Sequence, residues 1–392
     1  MPNNRALRAV REQRGLALKQ VADFAAISVD RLTDFERGDR EPSRKQVERL
    51  ADAYGVPLYS LFGSSIPNLA PLPQDFRKVD PQPASSLTPK GVRSLLSSER
   101  VSVYAKQLAV EVKYKPKDLN KAVRASKTTK LRATTMRNIF DEWHRPRASL
   151  LGFSGTLEQR FMSALRLFFE IQGGVLNVND APFQDFMGFF VEPEGGLPTI
   201  FVNRSVSSKK AQLFTLAHEY SHAILGEDGI SNPFMPRNAV ERTCNVFAAE
   251  FLAPMQEFAR VVEALPKTTR SNPETLIAAA SARSLLSRHA AAIRLVEGSY
   301  ISQQELRTWR SKFVANPRFE KDEEKETVGG GGGVPHAKRL SELGHLAVVL
   351  SKRAFDLRLI DRFDIANSLG LSQSLQDRAF ALATKRFEIA LT

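Results

Sequence analysis

Hydrophobic residues in positions 5–62 recur at intervals of three or four, which is the spacing of short amphipathic helices. Three of these segments end at Gly15, Gly38 and Gly55, because glycine readily adopts the left-handed conformation that terminates a helix. Ser28 precedes one segment as a predicted N-cap. The pattern predicts four or five helices within about sixty residues, an arrangement that is typical of a helix-turn-helix domain.

Beyond this head, prolines and a change of hydrophobic period mark further parts of the chain. Residues 66–89 contain six prolines, which block helices and sheet ladders, so we expect an extended linker. The patterns that follow predict an α+β frame, in which helices precede and follow two or three strands. The segments are 89–112 and 117–144 (helical), 155–173 (amphipathic helix), 175–180 and 187–206 (strands) and 208–226 (helix).

The last third of the chain is predicted to be helical, apart from a charged and glycine-rich stretch that indicates a linker or an exposed loop. The predicted fold class is therefore multidomain, with an all-α head, an α+β core and a helical C-terminal unit that forms a cap or a dimer interface. The expected parts are 1–63 (helix-turn-helix head), 64–89 (proline-rich linker), 90–150 (basic helical region), 151–320 (core domain), 321–335 (linker) and 336–392 (C-terminal unit).

The formal net charge of +13 suggests a polyanionic partner. The excess is densest in residues 113–137, where nine Lys and Arg residues are opposed by Asp118 alone. Two interpretations remain open. The stretch is either a solvated basic helix or linker, or a patch that binds the phosphates of nucleic acid.

Composition also bounds the location of the protein. No apolar run approaches the ~20 residues of a membrane span, so no membrane partner is expected. The first residues, MPNNRALRAVREQRG, lack the apolar core of a secretory signal. The single cysteine, Cys244, rules out an internal disulfide and fits a reducing compartment. We therefore expect a cytoplasmic protein.

The sequence HEYSH occupies residues 218–222 inside a segment that has helical spacing and no proline. His218 and His222 project from one face of the helix, a turn apart, where two imidazoles can reach one zinc ion. Glu219 is predicted to act as a base that takes a proton from water during attack on a carbonyl and passes it to the leaving amine. Because the pentapeptide also occurs in chains without metal, it needs support from a further ligand.

A catalytic zinc site normally uses three protein ligands. The stretch NAVERTCNVFAAEFLAP (238–254) is a predicted helix, and Glu241 lies on a stripe that can lean toward the HEYSH helix. Asn245, one turn on, is predicted to hydrogen-bond a ligand. Glu250 is a reserve choice for the third ligand, and Cys244 is predicted to be a buried small residue. No oxyanion-stabilising residue is assigned, and the candidates are Tyr220, Asn203 and Arg242.

The stretch RGLALKQVADFAAISVDRLTDFERGDREPSRKQVERLADAYGVPLYSLF resembles the Cro/C1-like (XRE-type) helix-turn-helix family. The resemblance implies that the third helix enters the major groove of double-stranded DNA, and that the protein binds a palindromic site as a homodimer. This chain departs from the family at Leu18, where a polar residue is usual, and places two acidic residues on the reading surface. Weak DNA binding, or binding of a protein partner, is therefore the alternative. The residues expected to face bases are Val29, Asp30, Arg31, Thr33 and Asp34.

Residues 155–254 resemble the ImmA/IrrE family of metallopeptidases. The matching pattern is a strand ending in VN, then TLAHEYSH, then ERTCNVFAAEFLAP. The resemblance implies a zincin-like, gluzincin-type core with one zinc ion per chain, the ligands His218, His222 and Glu241, and Glu219 as the base. Members of the family cleave or regulate transcriptional repressors, and proteolysis is specialised or undetected in some of them.

Three hypotheses about function follow. The first is a DNA-binding regulator whose zinc metallo-endopeptidase domain cleaves a protein partner, which is a repressor, a toxin or the chain itself. The second is a non-proteolytic antitoxin or repressor, because fusions of this kind resemble antitoxin-like regulators paired with a toxin. The third is a zinc peptidase whose head recruits a protein rather than DNA.

Overall fold

The structure is a computed structural model, and it describes residues 2–56, 58–62, 74–75, 87–206, 208–227, 229–231, 239–315 and 334–392. Most of the predicted linker 64–89, and nearly all of the predicted linker 321–335, lie outside the described residues. The helices of the first 170 residues are α1 (Asn4–Gln13), α2 (Leu18–Ala25), α3 (Val29–Arg37), α4 (Arg44–Tyr54), α5 (Pro89–Glu111), α6 (Lys121–Ala125), α7 (Thr129–His144), α8 (Ala148–Leu151) and α9 (Leu157–Glu170).

The remaining described elements surround and follow a small sheet. The strands are β1 (Gln74–Asp75), β2 (Val175–Asn179), β3 (Gly188–Val191), β4 (Thr199–Asn203) and β5 (Gly229–Ser231). The later helices are α10 (Lys209–Leu225), α11 (Ala239–Leu252), α12 (Met255–Glu263), α13 (Lys267–Arg270), α14 (Pro273–Ala282), α15 (Arg288–Glu297), α16 (Gln303–Ala315), α17 (Pro335–Leu343), α18 (Leu346–Asp356), α19 (Arg362–Leu369) and α20 (Gln373–Leu391). A helical head, a small mixed sheet and a mostly helical remainder confirm the coarse fold prediction.

The head is built from the predicted signals. The Ser28 hydroxyl accepts a hydrogen bond from the backbone N–H of Arg31 at 3.3 Å and caps α3. Gly38 and Gly55 end α3 and α4 with φ values of +85° and +65°, in the left-handed region that favours glycine. A turn of three residues joins α2 to α3, as in a helix-turn-helix unit.

The sheet has the order β1-β5-β3-β4-β2. Strand β4 pairs in parallel with β2 and antiparallel with β3, while β3 also pairs antiparallel with β5. Because side chains alternate along a strand, Phe190 and Val202 face one hydrophobic cluster, and Phe189 and Phe201 face another. The sheet therefore separates two cores.

The head belongs to the second of these cores. Its buried residues pack together with Leu95 and Leu96 of α5 and with the stacked rings of Phe189 and Phe201. Arg14 of the head also pairs with Glu99 of α5 at 3.0 Å. Apolar contact and an ion pair thus join the head to α5 and to the sheet.

The C-terminal unit belongs to the first core. Helices α17 to α20 contribute buried apolar residues to the same cluster as α9, α10 and α11. Buried Glu170 of α9 accepts hydrogen bonds from the backbone N–H groups of His345 and Leu346, at 2.5 and 3.2 Å. Trp143 Nε1 donates to the carbonyl of Ala390 at 2.9 Å. The unit is therefore packed into the core domain along much of its length.

Among the described helices, none is both long and apolar enough to cross a lipid bilayer.

Candidate metal centre and DNA-reading helix

Helix α10 carries the HEYSH residues and lies in the interior of the core domain. Every residue from Ala211 to His222 is buried, because the helix packs between strands β3 and β4 on one side and α11 on another. The Ser208 hydroxyl caps its start by accepting from Ala211 N at 3.3 Å, and Gly226 ends it. A rigid and water-excluded helix of this kind holds its side chains in fixed positions.

Three side chains converge at the centre of this interior. The Nε2 atoms of His218 and His222 lie 3.2 Å apart. The Glu241 carboxylate lies 3.4 Å from His218 Nε2 through one oxygen and 3.3 Å from His222 Nε2 through the other. All three side chains are fully buried. The structure therefore brings together the three residues that the sequence predicts as ligands.

The outer nitrogens of both histidines are bound to acceptors. His222 Nδ1 lies 3.1 Å from the backbone carbonyl of Glu227, and His218 Nδ1 lies 2.9 Å from Asn245 Oδ1. Since a carbonyl oxygen only accepts hydrogen bonds, Nδ1 carries the hydrogen in each neutral imidazole. Each Nε2 then presents a lone pair toward the other Nε2 and toward Glu241.

This donor set fits a divalent cation. Two lone pairs and a carboxylate repel one another unless a proton or a cation lies between them. Atoms that bind one tetrahedral zinc ion at about 2.0–2.1 Å lie roughly 3.3–3.4 Å from each other. The three contacts of 3.2, 3.3 and 3.4 Å match this spacing. The histidine orientation also matches that of zinc ligands, whose other nitrogen is usually bound by a carbonyl or carboxylate.

Burial and charge shift the ionisation of the same residues. Burial lowers the pKa of His222, although Glu241 opposes this effect. Burial also disfavours the charged form of Glu241, but when His218 and His222 carry a proton on Nε2 their hydrogen bonds and charges outweigh it and lower the pKa of Glu241 to about 2. A neutral imidazole and an ionised carboxylate are the forms that bind metal.

Glu219 is fully buried beside His218 and lies against strand β3. A Cβ atom on Gly188 would lie 2.5 Å from the side chain of Thr215 and 3.0 Å from Glu219 Oε1. Gly188 therefore lets α10 approach the strand closely and gives the Glu219 carboxylate its place. Sequence reasoning missed Gly188, and a glycine inside a strand was the signal that could have identified it.

The two other candidates on α11 have different surroundings. Glu250, the reserve choice, forms an ion pair with buried Arg294 and accepts from Met255 N at 3.2 Å, so its carboxylate is already bound elsewhere. The sulfur of Cys244 lies within 4.8 Å of ligand atoms of both His218 and His222. Burial raises the pKa of the Cys244 thiol well above its usual range. Cys244 is thus a fourth potential donor that lies close to the centre.

None of the three candidate oxyanion stabilisers has its side chain bound at the centre. The Tyr220 hydroxyl contacts Asn120 at 3.2 Å, and burial raises its pKa. The Asn203 amide donates to the carbonyls of Ala181 and Phe186 in a loop next to the sheet. Arg242 is exposed.

The predicted DNA-reading residues lie on α3, which presents one face to the surface. Asp30, Arg31 and Val29 are exposed. Thr33 is half-buried, and its hydroxyl donates to the carbonyl of Val29 at 2.9 Å. Asp34 is also half-buried, so the exposed part of the predicted surface is the start of the helix.

Comparisons with known proteins support both parts of this description. Residues 5–58 match the model of a helix-turn-helix domain, and residues 176–295 match the model of an IrrE N-terminal-like domain. A protein named HTH-type transcriptional regulator DdrOP3, from Deinococcus deserti, is 37% identical over 101 residues, which are 24% of this chain and 77% of the relative. No solved structure matches the chain. The two family resemblances are therefore confirmed, and the chain belongs to the helix-turn-helix transcriptional regulators and carries an IrrE N-terminal-like domain in addition.

Proposed function

We propose that this DNA-binding regulator is also a zinc metallo-endopeptidase, whose domain 151–320 cleaves a protein partner that is a repressor, a toxin or the chain itself. The observation that carries the proposal is the convergence of His218, His222 and Glu241 at mutual distances of 3.2 to 3.4 Å in a fully buried position. Such a set of two imidazoles and one carboxylate leaves a tetrahedral position open, as in catalytic zinc sites.

Each residue has a separate role in the proposed reaction. His218, His222 and Glu241 hold the zinc ion, and Asn245 fixes the ring of His218 through its hydrogen bond at 2.9 Å. Zinc supplies Lewis acidity, which polarises a peptide carbonyl and makes water more acidic. Glu219 takes a proton from the attacking water and delivers it to the leaving amine. Its position beside His218 and strand β3 fixes the carboxylate next to the proposed zinc ligands.

In the head, α3 is the proposed reading helix. Val29, Asp30, Arg31, Thr33 and Asp34 are proposed to face the major groove, with Arg31 as the side chain most suited to a guanine edge or a phosphate. Replacing Arg31 and Thr33 by alanine tests this assignment. If the head reads DNA, the double variant loses affinity for the operator. If the head recruits a protein, the double variant and the wild type have the same affinity for DNA.

The peptidase proposal is tested by metal content and cleavage together. Elemental analysis of purified wild type is expected to find one equivalent of zinc, which His218→Ala loses. Incubation of the zinc-loaded protein with a proteome-derived peptide library, read by mass spectrometry, is expected to reveal cleaved bonds. Glu219→Gln keeps the zinc and loses the cleavage by about 10²-fold or more. The matched control Glu257→Gln changes an exposed carboxylate and leaves both unchanged.

A second candidate function is a non-proteolytic regulator or antitoxin, in which the core domain binds a partner or a signal. Two observations favour it: the relative is named as a transcriptional regulator, and the side chains of His218, Glu219, His222 and Glu241 are fully buried. In that case the wild type binds zinc without cleaving any peptide, and Glu219→Gln behaves like the wild type. Wild type that takes up no metal at all would contradict the peptidase proposal and leave a repressor-like binding protein built on an inactive metallopeptidase frame.

A further inference from the structure

The nine cationic residues of the basic stretch 113–137 divide into two groups with different surroundings. Four of them are bound within the protein. Their partners are the Leu391 carbonyl for Lys117, the Asp118 carboxylate for Arg124, the Ser126 carbonyl for Arg132, and the Asp141 carboxylate with the Phe251 carbonyl for Arg137. These four side chains have partners within the protein, so they need no phosphate to explain their presence.

The other five are lysines whose side chains are exposed. Within the described part of the chain, none of them forms an ion pair or a side-chain hydrogen bond. They follow the end of α5, begin α6, and flank the start of α7, so eighteen consecutive residues bring them to one local region. We name them the lysine surface, which consists of Lys113, Lys115, Lys121, Lys127 and Lys130.

Two features indicate that these charges are present for a partner. The acidic side chain of the region, Asp118, is neutralised by Arg124 at 2.6 Å, so it does not offset the five lysines. Lys113 has a φ value of +52°, in the left-handed region where glycine or asparagine is favoured and another side chain costs about 1 kcal/mol. A lysine is therefore tolerated where the backbone alone would favour a smaller residue.

The position of the lysine surface relative to the head follows from α5. This helix has 23 residues, and the head packs on its first half, with Arg14 bound to Glu99 near the middle. From Glu99 to its end at Glu111 the helix rises by roughly 18 Å, at about 1.5 Å per residue, and Lys113 follows two residues later. A turn of duplex DNA measures about 34 Å. A duplex that continues by about one turn beyond the head is therefore long enough to cover this separation.

We propose that the lysine surface is a second DNA contact, which binds the phosphate backbone of the duplex that flanks the site of the head and does not read its sequence. The inference rests on DNA binding by the head. The head alone is poorly equipped for this task, because Asp30 and Asp34 repel phosphates from the reading helix. DNA is favoured over an acidic protein as the partner, because the head is proposed to hold a duplex and the lysines begin two residues after the end of the helix on which the head packs.

The test is the salt dependence of duplex binding by the full chain. The slope of log affinity against log salt concentration falls by about 0.9 for each phosphate contact that is lost. The probes are a random-sequence duplex of about 40 base pairs and one of about 15 base pairs, which is close to the site of a single head. The lysine variant carries Gln at all five positions. The control variant carries Gln at five exposed cationic positions elsewhere and has the same net charge, and its positions are Lys267, Arg283, Arg307, Arg378 and Lys385.

On the long duplex, the slope is expected to fall by about 2 or more in the lysine variant and by less than about 1 in the control variant. On the short duplex the two variants are expected to have the same slope. Equal slopes for both variants on the long duplex would overturn the inference, as would a loss in the lysine variant that is the same for both lengths. A wild type that binds neither duplex would instead contradict the DNA-binding role of the head.

Discussion

Helix α11 carries two buried carboxylates, and their surroundings are opposite in kind. Near the end of the helix, Glu250 faces a cation that the chain itself supplies, the fully buried guanidinium of Arg294. Near the start, Glu241 faces the Nε2 atoms of two histidines at 3.3 and 3.4 Å. The first site is complete as a protein structure, whereas the second combines donors that repel one another until a cation binds between them.

A structural carboxylate and a ligand carboxylate can be told apart by the partner that each faces, even when both are buried on one helix. Arg294 also donates to the carbonyl of Ala253 at 2.8 Å, so its guanidinium ties the end of α11 to α15. A buried charge is tolerated when it is paired and hydrogen-bonded. Glu241 instead faces two imidazole nitrogens that can bind metal, so metal is expected to change the surroundings of Glu241 and to leave those of Glu250 unchanged.

The largest effect is expected when the ion pair between Arg294 and Glu250 is broken. Arg294→Met leaves the Glu250 carboxylate buried beside an apolar side chain, and the free energy of unfolding should fall by about 3–5 kcal/mol. Urea denaturation of the full chain measures it. Adding Glu250→Leu removes the orphaned charge and should recover most of the loss. If Arg294→Met alone has the same free energy of unfolding as the wild type, the ion pair has no structural role.

The next effect concerns the incomplete site. At pH 8 in metal-free protein, Glu241→Gln should not lower the free energy of unfolding, because it removes a charge that faces two lone pairs. Zinc at a hundredfold excess over its dissociation constant should stabilise the wild type by about 2.7 kcal/mol and the variant far less. Equal stabilisation of both proteins would remove Glu241 from the ligand set and leave Cys244 as the alternative.

A smaller effect is expected from the residue that orients His218. Asn245→Ala removes the hydrogen bond to His218 Nδ1 and should weaken zinc binding by about 10–100-fold. Competition with a chromophoric chelator measures the affinity. Cys244→Ala is the matched control one position away, and it should leave the affinity unchanged if the thiol only packs. A greater loss in the Cys244 variant than in the Asn245 variant would identify sulfur as a ligand.

Much of the local structure could be predicted because the signals are local. Helix ends at Gly38 and Gly55 follow from backbone preference, and the strands follow from the alternation of side chains. The spacing of His218 and His222 places them on one face of a helix whatever the rest of the fold. The stripe that joins Glu241 and Asn245 correctly predicted that both reach the HEYSH helix, and the role of these residues as a metal site stays a prediction.

What could not be predicted depends on contacts between residues far apart in the chain. The sequence makes Glu250 only a reserve choice but does not show what binds its carboxylate, because the guanidinium that does so lies 44 positions away. Gly188 carries no periodic signal that relates it to Glu219. Likewise, the apolar faces of the C-terminal helices predict burial but not the surface against which they are buried, and here that surface is the core domain.

The smallest expected effect extends the comparison to a histidine beside a cation. Burial lowers the pKa of His289 to about 4, and the charge of Arg310 adds to the effect. In the unfolded chain its pKa is about 6.5, so between pH 6.5 and 4 the unfolded chain binds a proton that the folded protein does not. Stability from the neutral imidazole is therefore present above pH 6.5 and is lost as the pH falls toward 4. His289→Gln should make the free energy of unfolding less sensitive to acid in this window, by less than the ~1.4 kcal/mol per pH unit of one full proton. Urea denaturation at a series of pH values measures the difference, and identical pH profiles for the two proteins would show that His289 titrates alike in both states.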